Sequence, residues 1–174
     1  GGLAGYVNKG TLVDCYADGA VSGGAHIGDM SSYGWHIGGY VGGLVGYVGS
    51  STVIKCHAKG SVTGNGNFVG GLAGAIGPGC SFYGCHATGS VSGYQSIGGL
   101  AGSVDNATIS GCYASGYVSA ISGNDFAYYI GGLIGNNRGI VMDCYAMGAV
   151  TGGENSSHVG GLIGSMNIND VTHG

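Results

Sequence analysis

A two-part motif recurs along the whole chain and restricts the fold more than any other feature of the sequence. Its first half is a glycine-rich block such as VGGLVG, and its second half is a block such as CHAKGSV. The glycine-rich block begins at Gly1, Val41, Val69, Ile97, Ile130 and Val159. The second block begins at Cys15, Cys56, Cys85, Cys112 and Cys144. The chain therefore contains five full repeats and a truncated sixth, which lacks the cysteine block.

The spacing of the repeats indicates a solenoid. The leucines of successive glycine-rich blocks are 41, 28, 28, 33 and 29 residues apart, so one repeat is close to 28 residues long. A fixed period of about 20 to 50 residues is typical of solenoids and propellers, in which each repeat buries its apolar face only against its neighbours. The one long interval contains an insertion, residues 24–40, which we expect to form a surface loop or a partial coil.

Within a repeat, the residue pattern is that of short β-strands. In CHAKGSV, small or apolar residues alternate with polar ones, and the β-branched residues Thr52, Val53 and Ile54 precede the block. A period of two favours strands, whereas the 43 glycines of the chain would destabilise helices. We therefore predict an all-β fold in which residues 1–174 form a single parallel β-solenoid domain with about 28 residues per coil.

The glycine-rich blocks raise a question about which residues face the core. Strict alternation buries Leu44 and Val48 and turns Val45 and Val41 outward, although all four are apolar. Either the double glycine shifts the alternation and returns these side chains to the core, or the sheet packs laterally against another sheet or subunit. The first alternative requires the glycines to allow close passage of one backbone past another.

Charge and hydropathy exclude two classes of function. Four Lys and Arg face eight Asp and Glu, which gives a net charge of −4 without any basic run, so we expect no nucleic-acid partner. Glycine and polar residues interrupt every apolar stretch before the ~20 residues that a membrane-spanning helix needs. The chain begins and ends inside a repeat, and we expect more chain, or another subunit, to continue the stack.

The cysteines are predicted to form an inward-facing column of reduced thiols that act as small apolar side chains. Its members occupy one position of the repeat: Cys15, Cys56, Cys85, Cys112 and Cys144. A line of identical thiols does not supply the tetrahedral ligand set of a zinc site, so we predict neither a metal nor a cofactor. Cys80 lies outside the column, five residues before Cys85. These two cysteines are the one candidate disulfide pair.

The residue that follows each column cysteine is aromatic or histidine and is predicted to face outward. The resulting stripe consists of Tyr16, His57, His86, Tyr113 and Tyr145. Such rings on a rigid sheet can stack on a sugar or pack against a partner chain, so we consider them, together with Trp35 in the insertion, as candidate binding residues. An ordinary solvent-facing column of residues with high strand propensity is the alternative interpretation. A metal site at the two histidines would lack a neighbouring carboxylate column.

The blocks VGGLVG, VGGLAG and IGGLIG, followed by C[YH]AxGxV, resemble the GLUG repeat, which is named for Gly-Leu-apolar-Gly. The resemblance covers nearly the whole chain. GLUG repeats are associated with large secreted or surface-anchored bacterial proteins, among them adhesins and the non-catalytic regions of zinc peptidases that cleave immunoglobulin A. The resemblance implies a β-helical scaffold at an extracellular or cell-surface location, and it supplies no catalytic residues.

The sequence contains no HExxH, GxSxG or P-loop signature, so we expect no enzymatic activity in this segment. We expect a non-catalytic extracellular stalk or binding surface of a bacterial adhesin, with a glycan or another protein chain as partner. Identical chains that stack head to tail as a filament are a variant of this hypothesis. The alternative is the scaffold segment of a secreted zinc peptidase whose catalytic domain lies outside this sequence.

Overall fold

The computed structural model describes residues 1–24, 39–121 and 127–167, and all regular structure within these ranges is β-strand. The strands are numbered here in chain order. They are β1 (Ala4–Asn8), β2 (Thr11–Val13), β3 (Tyr16–Ala17), β4 (Val21–Gly23), β5 (Tyr40–Gly42), β6 (Val45–Gly49), β7 (Thr52–Ile54), β8 (His57–Ala58), β9 (Val62–Gly64), β10 (Phe68–Gly70), β11 (Ala73–Ile76), β12 (Ser81–Tyr83), β13 (His86–Ala87), β14 (Val91–Gly93), β15 (Ser96–Gly98), β16 (Ala101–Ser110), β17 (Tyr113–Ala114), β18 (Val118–Ala120), β19 (Tyr128–Gly131), β20 (Ile134–Met142), β21 (Tyr145–Ala146), β22 (Val150–Thr151), β23 (Ser157–Gly160) and β24 (Ile163–Met166).

The strands form four parallel sheets that run along the solenoid. Sheet 1 has nine strands, because β16 and β20 each continue through a corner and join the two halves of this face: β1, β2, β6, β7, β11, β12, β16, β20 and β24. The other sheets have five strands each. They are sheet 2 (β3, β8, β13, β17, β21), sheet 3 (β4, β9, β14, β18, β22) and sheet 4 (β5, β10, β15, β19, β23).

Pairing between coils joins equivalent positions of the repeat. In sheet 1, Val45 pairs with Ala73, Ala73 with Ala101, Ala101 with Ile134 and Ile134 with Ile163. These partners are 28, 28, 33 and 29 residues apart, which matches the predicted coil length. The prediction of an all-β parallel solenoid is therefore confirmed. The 41-residue interval between the partners Ala4 and Val45 contains the insertion, most of which lies outside the described residues.

The interior consists of two apolar clusters. The main core contains the leucines of the four inner glycine-rich blocks, with the column cysteines and the alanines that follow them in or packed against it, and Phe82 is its largest side chain. A smaller side core lies between sheets 3 and 4, and it contains Val41, Val62, Val69, Val91, Ile97, Val118, Ala127 and Ile130. Each coil contributes residues to both clusters, so the two cores run side by side along the stack.

The double glycine shifts the alternation of inward and outward side chains, as in the first of the two alternatives. Both apolar columns of the glycine-rich block therefore lie in the interior. Consecutive residues Leu44 and Val45 are 1% and 2% exposed, and both belong to the main core. Gly43 lies against the core, where a Cβ atom would come within 2.9 Å of the Ala58 methyl group. A Cβ on Gly46 would lie 3.0 Å from the carbonyl oxygen of Tyr40, so sheets 1 and 4 meet there backbone to backbone. Val45 is therefore buried within its own chain.

The corner before each column cysteine requires a left-handed backbone. Five residues at this corner have positive φ, between 51° and 60°: Asp14, Lys55, Gly84, Gly111 and Asp143. Glycine adopts this conformation without steric cost, and Asp adopts it more readily than most residues. Lys55 is the member with neither advantage. The corner thus explains why chemically different residues share this position of the repeat.

Substitution Lys55→Gly is expected to raise the free energy of unfolding by about 1 kcal/mol, because glycine relieves the left-handed strain at φ 51°. Urea unfolding followed by circular dichroism measures this difference. The matched control is Thr63→Gly, an exposed position inside β9, which should lower the same free energy by about 0.5–1 kcal/mol. Equal destabilisation by both substitutions would contradict the corner argument.

Candidate ligand-binding surface

Sheet 2 holds the five predicted ring residues in one column. Each of its strands is only two residues long; the first residue points outward, and the second is an alanine in or packed against the main core. The register pairs Tyr16 with His57, His57 with His86, His86 with Tyr113 and Tyr113 with Tyr145. The structure therefore brings all five rings together, and we call them the ring stack. Their role in binding stays a prediction.

The rings of the stack lie face to face. Their centroids are 5.2, 4.9, 4.8 and 5.1 Å apart from Tyr16 to Tyr145, and adjacent planes differ by no more than 7°. This spacing follows from the distance between parallel strands. Neighbouring rings therefore cover the faces of the three inner members. A ligand alongside the stack meets ring edges, where the tyrosine hydroxyl groups and imidazole nitrogens lie, and not ring faces.

Exposure varies along the ring stack. Tyr16 and Tyr145 are 63% and 49% exposed, whereas His57, His86 and Tyr113 are half-buried. Burial, together with the neighbouring His57 and Lys59, lowers the pKa of His86. His86 therefore favours the neutral imidazole at physiological pH. The stack presents a ribbon with an apolar body and a polar outer edge.

The cysteine column lies directly behind the ring stack, at the start of sheet 2. Cys56, Cys85 and Cys112 are buried, and Cys15 and Cys144 are half-buried. Each thiol lies 3.0–3.4 Å from the carbonyl oxygen two residues earlier, to which it donates. Backbone N–H groups in turn donate to thiols of the next coil, from Cys85 to Cys112 and from Cys112 to Cys144. Cysteine thus satisfies backbone groups at the corner while it fills the core.

The surroundings of the thiols raise the pKa of four of them, whereas the hydrogen bond with Cys85 lowers the pKa of Cys112. Burial raises the pKa of Cys56, Cys80 and Cys144. The hydrogen bond with Cys112, followed by burial, raises the pKa of Cys85. A thiolate is the form that attacks alkylating agents and binds metals. The cysteine column is therefore better suited to core packing and backbone hydrogen bonding than to nucleophilic attack or metal binding.

The candidate disulfide between Cys80 and Cys85 is not formed, since all six cysteines are free thiols. Strand β12 separates the two residues along the coil, and each thiol contacts a different part of the preceding coil. The Cys80 thiol donates to the carbonyl oxygen of Val48, and the Cys85 thiol donates to that of Val53. Cys80 occupies a second corner of the coil, equivalent to Ser51, and each of these two side chains contacts the carbonyl oxygen two residues earlier, of Pro78 and of Gly49.

A second aromatic cluster lies on the outside of sheets 1 and 4 and is absent from the sequence predictions. Tyr6 stacks on Tyr47 at 5.4 Å, Tyr40 stacks on Phe68 at 5.4 Å, and Tyr40 meets Tyr47 edge to face at 5.3 Å. One signal was present in the sequence, because Tyr6 and Tyr47 hold the same repeat position, directly after Leu-apolar-Gly. Trp35 lies outside the described residues.

Across residues 1–24, 39–121 and 127–167, no three His, Cys, Asp or Glu side chains are grouped closely enough to hold a metal ion. The same part of the chain contains no helix that is long and apolar enough to cross a membrane.

Comparison with known proteins supports the predicted resemblance. The profile of the GLUG motif matches three stretches, residues 37–63, 93–121 and 126–151. No curated protein shows significant similarity. The crystal structure of a candidate immunoglobulin A1 protease from Bacteroides ovatus superposes with a TM-score of 0.62 at 21% identity, over 90% of this chain. This chain spans 48% of that protein, and at this identity the similarity concerns the fold alone.

Alkylation should distinguish the buried thiols from the rest. In the folded protein, we expect iodoacetamide at mildly alkaline pH to leave Cys56, Cys85 and Cys112 unmodified, because all three thiols are buried and the reagent cannot reach them. In urea without reductant, all six cysteines should react, and mass spectrometry counts the adducts. Four adducts per chain in urea would instead indicate a disulfide.

The lowered pKa of His86 predicts that the protein loses stability in acid. The unfolded chain binds a proton to this residue near pH 6.5, and the folded chain binds it only at lower pH. The free energy of unfolding should therefore fall as the pH decreases from 6.5 through the folded pKa. Thermal melts across this range measure the loss. His86→Tyr, which copies the ring found at Tyr113, should reduce it, and an unchanged pH dependence in this variant would contradict the assignment.

Proposed function

We propose that this parallel β-solenoid, three stretches of which match the GLUG motif, acts outside the cell as a non-catalytic stalk and binding surface of a bacterial adhesin. The observation that carries this proposal is the ring stack, five aligned rings on the outside of a rigid parallel sheet. Tyrosine and histidine combine an apolar body with a polar tip, which suits them to recognition at a wet surface. The repeats serve as a scaffold, and the proposed activity of this segment is binding alone.

The fold supports this role because it holds the rings in fixed positions. Backbone hydrogen bonds join every coil to its neighbour on each side of the ring column, for example from His86 N–H to the Cys56 carbonyl and from Thr88 N–H to the Ala58 carbonyl. The inward alanine of each sheet 2 strand packs in or against the main core. A ligand therefore meets a pre-organised surface and loses little free energy in ordering it.

The geometry also indicates how a ligand would approach. Stacking covers the faces of His57, His86 and Tyr113, so contact must occur along the edges, through hydrogen bonds to hydroxyl groups and ring nitrogens. An extended ligand that lies parallel to the solenoid axis can reach several rungs at once. Both glycans and protein chains on a host surface can provide such contacts.

A binding assay on host epithelial cells or immobilised mucin tests the proposal. The double substitution His86→Ser/Tyr113→Ser should reduce retention at least about tenfold, because it removes two central rings. Tyr83→Ser removes an exposed aromatic side chain from sheet 1 and should leave retention unchanged. Circular dichroism verifies that both variants fold, and light scattering of the same preparation distinguishes a single stalk from a self-assembled fibre. Equal retention of the double variant and the parent protein would contradict the proposal.

A second candidate function is the scaffold segment of a secreted zinc peptidase. The fold similarity to the Bacteroides ovatus protein, described as a candidate immunoglobulin A1 protease, favours it. The catalytic domain would then lie elsewhere in the same polypeptide. An HExxH motif in the complete gene, together with cleavage of immunoglobulin A1 by the full-length protein, would establish this function. Absence of the motif from the complete gene would remove it.

A further inference from the structure

The outer side of the second half of sheet 1 carries exposed large side chains. This half consists of β2, β7 and β12, together with residues 108–110 of β16 and 140–142 of β20. In each three-residue segment the middle side chain lies in or against the main core, so the first and third point outward. We call this side of the sheet the lateral face. Four of its side chains are large, apolar and 43–60% exposed: Val13, Tyr83, Ile140 and Met142.

Charged residues stand at both edges of the lateral face in the first and fifth coils. In the first coil, Lys9 precedes the strand and Asp14 follows it. The fifth coil repeats this order with Arg138 and Asp143, so KGTLVD and RGIVMD share one pattern. All four residues are exposed. The face therefore has a positive edge where its strands begin and a negative edge where they end.

The lateral face as a whole is electrically neutral. Besides the four edge residues it contains Lys55, at the position of Asp14 in the second coil, and Asp105, which pairs with Arg138. These residues sum to three positive and three negative charges, although the chain has a net charge of −4. Two copies that meet through this face therefore avoid the repulsion that the acidic remainder of the surface would cause.

We infer that the lateral face binds the same face of a second copy, with the two solenoids parallel and side by side. A two-fold axis along the solenoid places each coil opposite the same coil of the other copy, with the strand direction reversed. The positive edge then meets the negative edge, so Lys9 lies opposite Asp14 and Arg138 opposite Asp143, each twice by symmetry. The ring stack belongs to sheet 2, and this inference goes beyond the proposed binding function.

The edge charges select the parallel arrangement over the antiparallel one. If the second copy ran in the opposite direction, its fifth coil would face the first coil. Lys9 would then meet Arg138, and Asp14 would meet Asp143. All four contacts would be repulsive, whereas all four are attractive in the parallel pair.

Parallel pairing also matches the side chains of the face by size. The first and third residues of each segment exchange places across the axis, so Tyr83 lies over the small Ser81 of the other copy. This contact is at the centre of the face, in the third of five coils. The two remaining charged residues lie opposite uncharged ones, in the pairs Lys55–Ser50 and Asp105–Gly111.

The size of the lateral face fits a weak dimer. Five coils about 4.8 Å apart and six residues of about 3.3 Å each give roughly 24 by 20 Å, or about 500 Å² per copy. The total of about 1,000 Å² is near the lower limit for a specific interface. We therefore expect a dimer that forms and dissociates with protein concentration.

The repeat supplies a variant that reverses the negative edge. Asp14→Lys/Asp143→Lys makes both edges positive, and Lys55 shows that this corner accepts lysine at φ 51°. The matched control, Asp18→Lys/Glu154→Lys, changes the net charge equally at exposed positions outside the lateral face. Thermal melts verify that both variants fold.

A second variant reverses the positive edge. Lys9→Asp/Arg138→Asp makes both edges negative, and Asp105 shows that the position of Arg138 accepts aspartate. Each edge variant should repel its own copies. In an equal mixture of the two edge variants, positive edges meet negative edges again, so the mixture should form a mixed dimer.

Sedimentation velocity over a range of concentrations measures the association. We expect the parent protein and the control to dimerise, and to do so more weakly as salt screens the edge charges. Either edge variant alone should dimerise at least about tenfold more weakly, because four attractive contacts become repulsive. The equal mixture should recover most of this loss.

Carbodiimide cross-linking of unlabelled chains mixed with isotope-labelled chains reports the orientation. The reagent condenses a lysine amine with a nearby carboxylate. In the parallel dimer, Lys9 of one chain should become joined to Asp14 of the other, and mass spectrometry should find this link between labelled and unlabelled peptides.

A parent protein that remains monomeric up to about 1 mM would overturn the inference. Equal dimerisation of an edge variant and the control, a mixture that does not recover, or assemblies larger than a dimer would do the same. Absence of the mixed-label link between Lys9 and Asp14 would overturn the parallel arrangement. The cell-adhesion test is run below the dimerisation range, where the Tyr83→Ser control is monomeric like the parent, so the two proposals fail separately.

Discussion

The parallel hydrogen bonding between coils is the interaction on which the rest of this structure depends. It pairs each residue with the equivalent residue one repeat later, as Val69 pairs with Ile97 and Ile97 with Ile130. A preference for one side chain type in the repeat therefore becomes a column in space. Core leucines, corner residues, thiols and rings are all columns of this kind. Side chains in such columns gain contacts along the stack as well as across it.

The corners determine which columns can exist. A left-handed residue at each sheet 1–sheet 2 corner turns the chain, and the cysteine that follows enters the core, where its thiol bonds to backbone groups of the turn. Ser51 does the same at the preceding corner, after Ser50 with φ 46°. Small side chains with a donor and an acceptor are suited to this position. The cysteine column thus belongs to the architecture of the turn, and the ring stack outside it depends on that turn for its alignment.

Periodicity alone predicted the solenoid, the coil length and the membership of the ring and cysteine columns. Three features could not be read from residue types. Asp14, Lys55 and Gly84 have nothing in common chemically, and only the backbone shows that they share a left-handed corner. The face-to-face contact of the rings depends on the rung spacing, and it restricts ligands to the ring edges. The aromatic cluster around Tyr47 spans two sheets, and a one-dimensional pattern does not show which sheets meet.

The constant register has a consequence for how such a protein can change in length. Duplication of one 28-residue segment, such as that from Ala73 to its partner Ala101, would insert one more rung with every column intact. Each duplication would lengthen the molecule by about 4.8 Å and extend the ring stack by one ring. The length of the solenoid and the number of rings in the stack would therefore increase together through duplication of a gene segment. The added coil would pack against its neighbours as the existing coils do.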